Sequence, residues 1–82
     1  MQWQQYIERN PEILLGKPAI KGTRISVELI MRKLAGGYTF EDVLKAYPHL
    51  IKEQVAAACE YAADVISNEE AVETKWSLPT KM

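Results

Sequence analysis

The chain has 82 residues, a net charge of −1 and a pI near 5.8, which fits one domain with one modest core. A stand-alone nucleic-acid-binding protein usually has a clear excess of positive charge, which this chain lacks. Any nucleic-acid-binding site must therefore come from basic residues clustered on one part of the surface. The single cysteine excludes an internal disulfide and a cysteine-cluster metal site, and no apolar run approaches the roughly 18 residues of a membrane span.

Residues 1–12 combine polar and aromatic side chains. They carry neither the basic nor the apolar segment of a secretion signal, so we expect a cytoplasmic protein. Trp3, Tyr6 and Ile7 fall at i, i+3 and i+4, which predicts a short helical turn. Asn10 should end this turn because it precedes a proline. We interpret the segment as a lid whose aromatic rings cover the core, rather than as a ligand site.

The next stretch, residues 16–27, is rich in turns. Gly16 can adopt a positive φ, Pro18 fixes its own φ near the extended region, and Gly22 offers a second left-handed position. Short apolar pieces between the turns predict two or three short strands folded back on one another. These pieces are residues 13–15, 19–20 and 25–27.

Short strands leave edges that can pair with another chain, so we expect a homodimer. The residues of this strand and dimer element are Leu14, Gly16, Pro18, Ile20, Gly22, Arg24 and Ile25. Arg24 stands apart as a charge between Thr23 and Ile25. It could make a structural hydrogen bond to the end of a helix, or it could contact a phosphate or a partner's carboxylate.

Three amphipathic helices follow. The first should begin after Ser26, a good N-cap, and end at the Gly36-Gly37 pair, which can supply a left-handed residue. The second should begin after Thr39, which forms a near capping box with Asp42, and end before the proline of the connection at residues 47–50. The third should cover residues 52–66, with a buried stripe of small and branched side chains.

Residues 67–82 show no sustained helical period, so we divide the chain into a domain at residues 1–66 and a C-terminal tail at residues 67–82. The tail carries a cluster of glutamates and isolated large apolar side chains. The candidate partner-binding residues are Val72, Trp76 and Leu78. The tail could fold on a partner, where Trp76 would be the anchor, or have no role of its own. In a third alternative Trp76 folds back onto its own domain, beside Trp3 or Tyr6, and the tail is structural.

No arrangement of residues suggests catalysis. His49 is the single histidine, and Cys59 lies in an apolar helical stripe, where an inert thiol is expected. No set of side chains has metal-ligand spacing, and no glycine-rich loop matches a phosphate-binding pattern. We therefore expect no enzyme activity, no cofactor, no metal, no small-molecule substrate and no membrane association.

The second and third helices, joined at residues 47–50, resemble a helix-turn-helix. The candidate DNA-binding residues are Lys45, His49, Lys52 and Gln54. The lysines could contact phosphates, and the glutamine could read an adenine edge. Glu53, Glu60 and Asp64 lie on the same helix and would repel the DNA backbone, so a merely solvated helix face remains the alternative.

The turn-rich stretch also resembles the bacterial family catalogued as domain of unknown function 433. The motif is Gly-x-Pro-x-Ile-x-Gly-Thr-Arg-Ile-x-Val over residues 16–27, and further matching segments are residues 34–39, 43–50 and 56–62. The resemblance covers about residues 7–66. It implies a homeodomain-like helix-turn-helix fold and a role like that of VapB-type antitoxins. Where the family commonly has a Ser or Thr cap, this chain has Ile51, which weakens the expected start of the third helix.

The resemblance further implies that such a protein binds its own operator DNA as a dimer and neutralises a PIN-like ribonuclease toxin. We therefore expect a mainly α fold: a three-helix homeodomain-like helix-turn-helix core with a short N-terminal β-hairpin element. We expect an antitoxin-like function for it. The alternative is a non-enzymatic protein-interaction or adaptor domain with no role in DNA binding.

Overall fold

The computed structural model describes the backbone of residues 2–73 and the side chains as far as residue 68. A short antiparallel hairpin and two 3₁₀ turns precede three helices, which confirms a mainly α fold with an N-terminal hairpin. The elements are a 3₁₀ turn at Trp3–Gln5, β1 at Ile7–Arg9, a 3₁₀ turn at Leu14–Gly16, β2 at Pro18–Ile20, α1 at Val27–Ala35, α2 at Phe40–Ala46 and α3 at Lys52–Glu73.

The hairpin pairs β1 with β2, so that Ile7 lies opposite Ile20. The other side of β2 is also occupied, because the Ile20 N–H donates to the Ile25 carbonyl at 3.0 Å and Ala19 forms a bridge with Ser26. β2 therefore lies between two backbone neighbours. The strand edge that we expected to be open to a second chain is closed along β2 by the protein's own backbone.

The strand expected at residues 13–15 is wrong. Leu14 and Leu15 have φ values of 53° and 57°, and Gly16 follows at 84°. This left-handed run reverses the chain between β1 and β2, which must run in opposite directions to pair. The first strand instead falls at β1, where the sequence had suggested the end of a helical turn.

Local caps fix both ends of α1 as expected. The Ser26 hydroxyl accepts a hydrogen bond from the Leu29 N–H at 3.0 Å. At the other end, Gly37 has a φ of 107°, and the Tyr38 N–H donates to the Lys33 carbonyl at 3.0 Å. This is a Schellman arrangement, in which a left-handed residue lets the chain satisfy the last carbonyls of the helix.

The capping box of α2 is also present. The Thr39 N–H donates to the Asp42 carboxylate at 2.9 Å, and the Asp42 N–H donates to the Thr39 hydroxyl at 3.0 Å. The hydrogen bond from the Thr39 backbone N–H, followed by one from the Thr39 side chain, holds the pKa of the Asp42 carboxyl below its usual value. The carboxylate therefore stabilises the folded state at neutral pH, and this contribution is lost as the pH falls through the lowered pKa.

The start of α3 is held in a way that the sequence did not suggest. Ile51 has no capping side chain, but the Gln54 side-chain carbonyl accepts a hydrogen bond from the Ile51 N–H at 2.8 Å. At the other end, α3 continues to Glu73, so the helix end expected at Ile66 is wrong. No glycine or proline stands between Ile66 and Glu73 to stop the helix, and the proposed tail begins inside α3.

The core is built from branched aliphatic side chains and small residues of α3. Ile20, Ile30, Val43 and Val55 are fully buried, one each from β2, α1, α2 and α3. Trp3 closes this core from the N-terminus: its indole N–H donates to the Asp64 carboxylate at 2.6 Å, and its ring meets that of Tyr61 edge-on at 4.7 Å. The lid interpretation of residues 1–12 is confirmed.

Replacing Gly37 by alanine tests the left-handed stop of α1. With a φ of 107° the position is strained for any residue with a Cβ, so Gly37→Ala should lower the free energy of unfolding by about 1–2 kcal/mol. Gly36→Ala is the matched control, because Gly36 has a φ of −83° and should change the stability by less than about 0.5 kcal/mol. Urea denaturation measures both, and equal effects would contradict the assignment.

Candidate nucleic-acid interface

The connection between α2 and α3 is anchored in the core. The Tyr47 N–H donates to the Val43 carbonyl at 2.9 Å, and the Leu50 N–H donates to the Tyr47 carbonyl at 2.9 Å. Leu50 is buried in the cluster that contains Val43 and Val55. The tight turn and this buried leucine fix how the start of α3 is presented to solvent.

Three of the four candidate DNA-binding side chains are exposed around this connection. Lys45 lies in the last turn of α2, His49 in the connection itself, and Lys52 at the first residue of α3. The positive end of the α3 dipole lies in the same place. The structure therefore presents two exposed lysines, an exposed imidazole and a helix N-terminus along the segment that joins α2 to α3, a combination suited to phosphate contact.

Gln54, the fourth candidate, is half-buried and already engaged. Its side-chain oxygen accepts the Ile51 N–H, and only its amide N–H groups remain to donate. Reading an adenine edge with two hydrogen bonds needs both the oxygen and the amide nitrogen. To read adenine in this way, Gln54 would have to share the oxygen that already accepts the Ile51 N–H, using its second lone pair, or release the start of α3.

The carboxylates expected to repel DNA are spread along α3. Glu53 is exposed in the first turn, beside Lys52. Asp64 lies about 18 Å from Lys52 along the helix, given a rise of 1.5 Å per residue, and its carboxylate accepts the Trp3 indole N–H. Glu60 is half-buried. Of these three side chains, Glu53 is the one that opposes a phosphate at the start of α3.

Residues of the expected strand and dimer element have different environments. Ile20 belongs to the core, Ile25 is half-buried against it, and Gly22 has a positive φ of 77°. Leu14 and Pro18 are half-buried. Because β2 is flanked on both sides, these residues do not form an open strand edge.

Arg24 is exposed and lines a cleft of about 330 Å³ on the N-terminal side of α1. Glu28 lies in this cleft and pairs with Lys17 at 3.3 Å and with Arg32 at 3.1 Å. These partners, Arg32 first, hold the pKa of the Glu28 carboxyl below its usual value. Within the described part of the chain Arg24 makes no hydrogen bond, so the structural role considered for it is not observed there.

Sequence reasoning missed one surface, an apolar groove of about 280 Å³ between α3 and the hairpin. Its lining is Pro18, Val27, Glu28, Tyr61, Ala62, Val65 and Ile66. The sequence contained a signal for this groove. The apolar side chains of the third helix continue beyond the part of the helix that the N-terminal lid and the core cover. The expected partner-binding side chains of Val72, Trp76 and Leu78 lie outside the described residues.

Burial raises the pKa of the half-buried Cys59 thiol, which favours its less reactive protonated form. Over residues 2–68, where side chains are described, no three His, Cys, Asp or Glu side chains come together as a metal site. As far as the described chain extends, none of its helices combines the length and the apolar composition needed to cross a membrane.

Comparison with known proteins places this architecture in one family. Residues 7–62 match the family described as "Protein of unknown function (DUF433)". The chain is 34% identical over 59 residues to an uncharacterised protein, y4eO, of Sinorhizobium fredii, and the match covers 72% of this chain but 27% of that protein. The crystal structure of a DUF433 member from Anabaena variabilis superposes with a TM-score of 0.71 at 28% identity, covering 88% of this chain and 68% of that one. The chain therefore belongs to the DUF433 family.

Proposed function

We propose that this protein is an antitoxin-like member of a type II toxin–antitoxin pair. In this role a dimer binds operator DNA through α2, the connection and α3, and the C-terminal tail neutralises a PIN-like ribonuclease toxin. The observation that best supports the DNA-binding part is the exposure of Lys45, His49 and Lys52 around a connection that Leu50 anchors in the core.

On DNA, the start of α3 enters the major groove and the lysines contact phosphates. Two phosphate contacts per protomer would give a salt slope of about −2 per protomer, far shallower than that of a strongly basic repressor. Glu53 adds to this weakness because it sits beside Lys52 in the first turn. The affinity therefore depends on two protomers binding together, which is why a dimer is part of the proposal.

The tail provides the second half of the proposal. Its sequence joins three glutamates, at positions 69, 70 and 73, to the apolar residues Val72, Trp76 and Leu78. An acidic segment complements the basic cleft with which a ribonuclease holds RNA. Apolar side chains at intervals along such a segment can fill pockets of the partner, and a tryptophan often dominates interfaces of this kind.

A protein-interaction or adaptor domain with no DNA role is the second candidate. The net charge of −1 and the carboxylate of Glu53 favour it over a nucleic-acid-binding role, and so does the apolar groove beside α3. The genes next to the one for this protein discriminate cheaply, because the antitoxin role expects a small nuclease-like neighbour.

Charge reversal at the start of α3 tests the DNA-binding role. Lys52→Glu replaces a phosphate contact by a repulsion, so the affinity for all DNA sequences should fall by about tenfold or more at low salt. Fluorescence anisotropy with the DNA upstream of the gene measures this loss. If the wild-type protein does not bind this DNA at low salt, even with its partner present, the repressor role is ruled out.

Two variants of Gln54 separate base reading from helix capping. Gln54→Glu keeps an oxygen for the Ile51 N–H but removes the amide donor, whereas Gln54→Ala removes both. If the side chain reads DNA, both variants should relax base preference. If it only caps α3, Gln54→Glu should keep the melting temperature and the base preference of the wild-type protein, and Gln54→Ala alone should lose stability.

Removing residues 74–82 tests the tail, because the cut falls after the end of α3 at Glu73. The shortened protein should keep its melting temperature and its DNA binding but lose neutralisation of the neighbour-encoded toxin. Trp76→Ala in the full chain should weaken toxin binding by about 2 kcal/mol or more if this side chain is a hot spot. A shortened protein that still neutralises the toxin at full strength would rule out Trp76 and Leu78 as the anchors, because Val72 and the three glutamates remain in it.

A further inference from the structure

Ile51 is an exposed apolar residue in the middle of the candidate interface. It directly precedes Lys52, and 52% of its surface is accessible although the neighbouring Leu50 is buried. It lies about 33 Å from Glu73 along α3, a distance that residues 74–82 would only just span if they were fully extended. The exposure of Ile51 therefore depends on the packing of the described domain.

Hydrogen bonds hold the backbone of Ile51 on both sides of its side chain. Its N–H donates to the Gln54 side-chain oxygen at 2.8 Å. Its carbonyl accepts the backbone N–H groups of Gln54 at 3.0 Å and of Val55 at 3.4 Å. Because the side chain is also branched at Cβ, it has few rotamers. The Ile51 side chain therefore has little freedom left to lose when it contacts a partner.

Helix capping does not account for an isoleucine at this position. Ile51 is the N-cap residue of α3, since its carbonyl accepts the first hydrogen bonds of the helix. N-cap positions favour Ser, Thr, Asp and Asn, whose side chains accept an N–H of the first turn, and Ile is among the least favoured residues there. The position thus carries an exposed apolar side chain where a polar one would stabilise the helix.

We propose that Ile51 recognises thymine by packing its side chain against the C5-methyl group in the major groove. Such a contact deepens the proposed function and rests on it, because the start of α3 must enter that groove. In a helix-turn-helix the first residues of the second helix contact the base edges. Thymine presents its methyl group in the major groove, and apolar side chains recognise this base by contact with it.

The other exposed candidate side chains of the interface are polar and cannot make this contact. Lys45 and Lys52 are suited to phosphates, which carry no sequence information directly. Gln54 is half-buried, and its oxygen already accepts the Ile51 N–H. A contact between Ile51 and thymine therefore supplies a base preference that the lysines do not provide.

DNA in which uracil replaces thymine tests this contact, because the two bases differ only by the methyl group. The probe is the DNA upstream of the gene, synthesised once with thymine and once with uracil throughout. The wild-type protein should bind the uracil DNA about fourfold more weakly for each thymine contacted, given the transfer free energy of one methyl group. Fluorescence anisotropy at low salt measures both affinities.

Ile51→Ser separates the methyl contact from the stability of α3. The serine hydroxyl can cap the helix, so the melting temperature should be unchanged or higher. The affinity for thymine DNA should nevertheless fall, and the variant should bind both DNAs equally well. Ile66→Ser is the matched control, because Ile66 has nearly the same exposure, 54%, and lies about 22 Å further along α3. This control should keep the wild-type preference for thymine DNA.

The outcomes separate the thymine contact from the proposed function. A wild-type protein that binds neither DNA would overturn both. Equal affinities of the wild-type protein for the two DNAs would overturn the thymine contact and leave the DNA-binding role standing. A preference for thymine DNA that Ile51→Ser keeps in full would also overturn the contact, because the preference would then come from another side chain or from the shape of the DNA.

Discussion

The close packing of other elements on small residues of α3 is the constraint on which the rest of the structure depends. Ala57 and Ala58 are fully buried next to Val55, and α1, α2, the hairpin and the N-terminal 3₁₀ turn all contact α3. Alanines lose no side-chain freedom on burial and let neighbouring backbones approach. A larger side chain at either alanine would have to displace an isoleucine or a valine of the facing elements, since a packed interior has little spare volume.

Short elements can dock on α3 only if their ends are defined, and local hydrogen bonds define them. α2 is too short to be stable alone, yet its capping box fixes where it begins and the Tyr47 N–H closes its last turn. Leu50 then anchors the connection in the core. This packing determines which side chains of the connection are exposed, including those of Lys45, His49 and Lys52. The candidate interface therefore depends on the packing of the core beneath it.

The sequence predicted those parts of the fold that depend on neighbours along the chain. The Ser26 cap, the Thr39–Asp42 capping box and the left-handed Gly37 are each decided within a few residues. The left-handed conformation of Leu14 and Leu15 was not predictable, because the pairing of β1 with β2 imposes it. At the candidate site, the exposed lysines were predicted, but the bond from the Ile51 N–H to Gln54 was not, since it replaces a cap that the sequence lacks.

Amide hydrogen exchange along α3, followed by NMR, tests the central role of this helix most directly. If the other elements depend on the packing at Val55–Ala58, the amides of these residues should be the slowest to exchange and should open only with global unfolding. The exposed residues 63–68 should exchange faster in the monomer. Exchange at residues 55–58 that is faster than in α1 or the hairpin would contradict the account, because those elements would then be stable without α3.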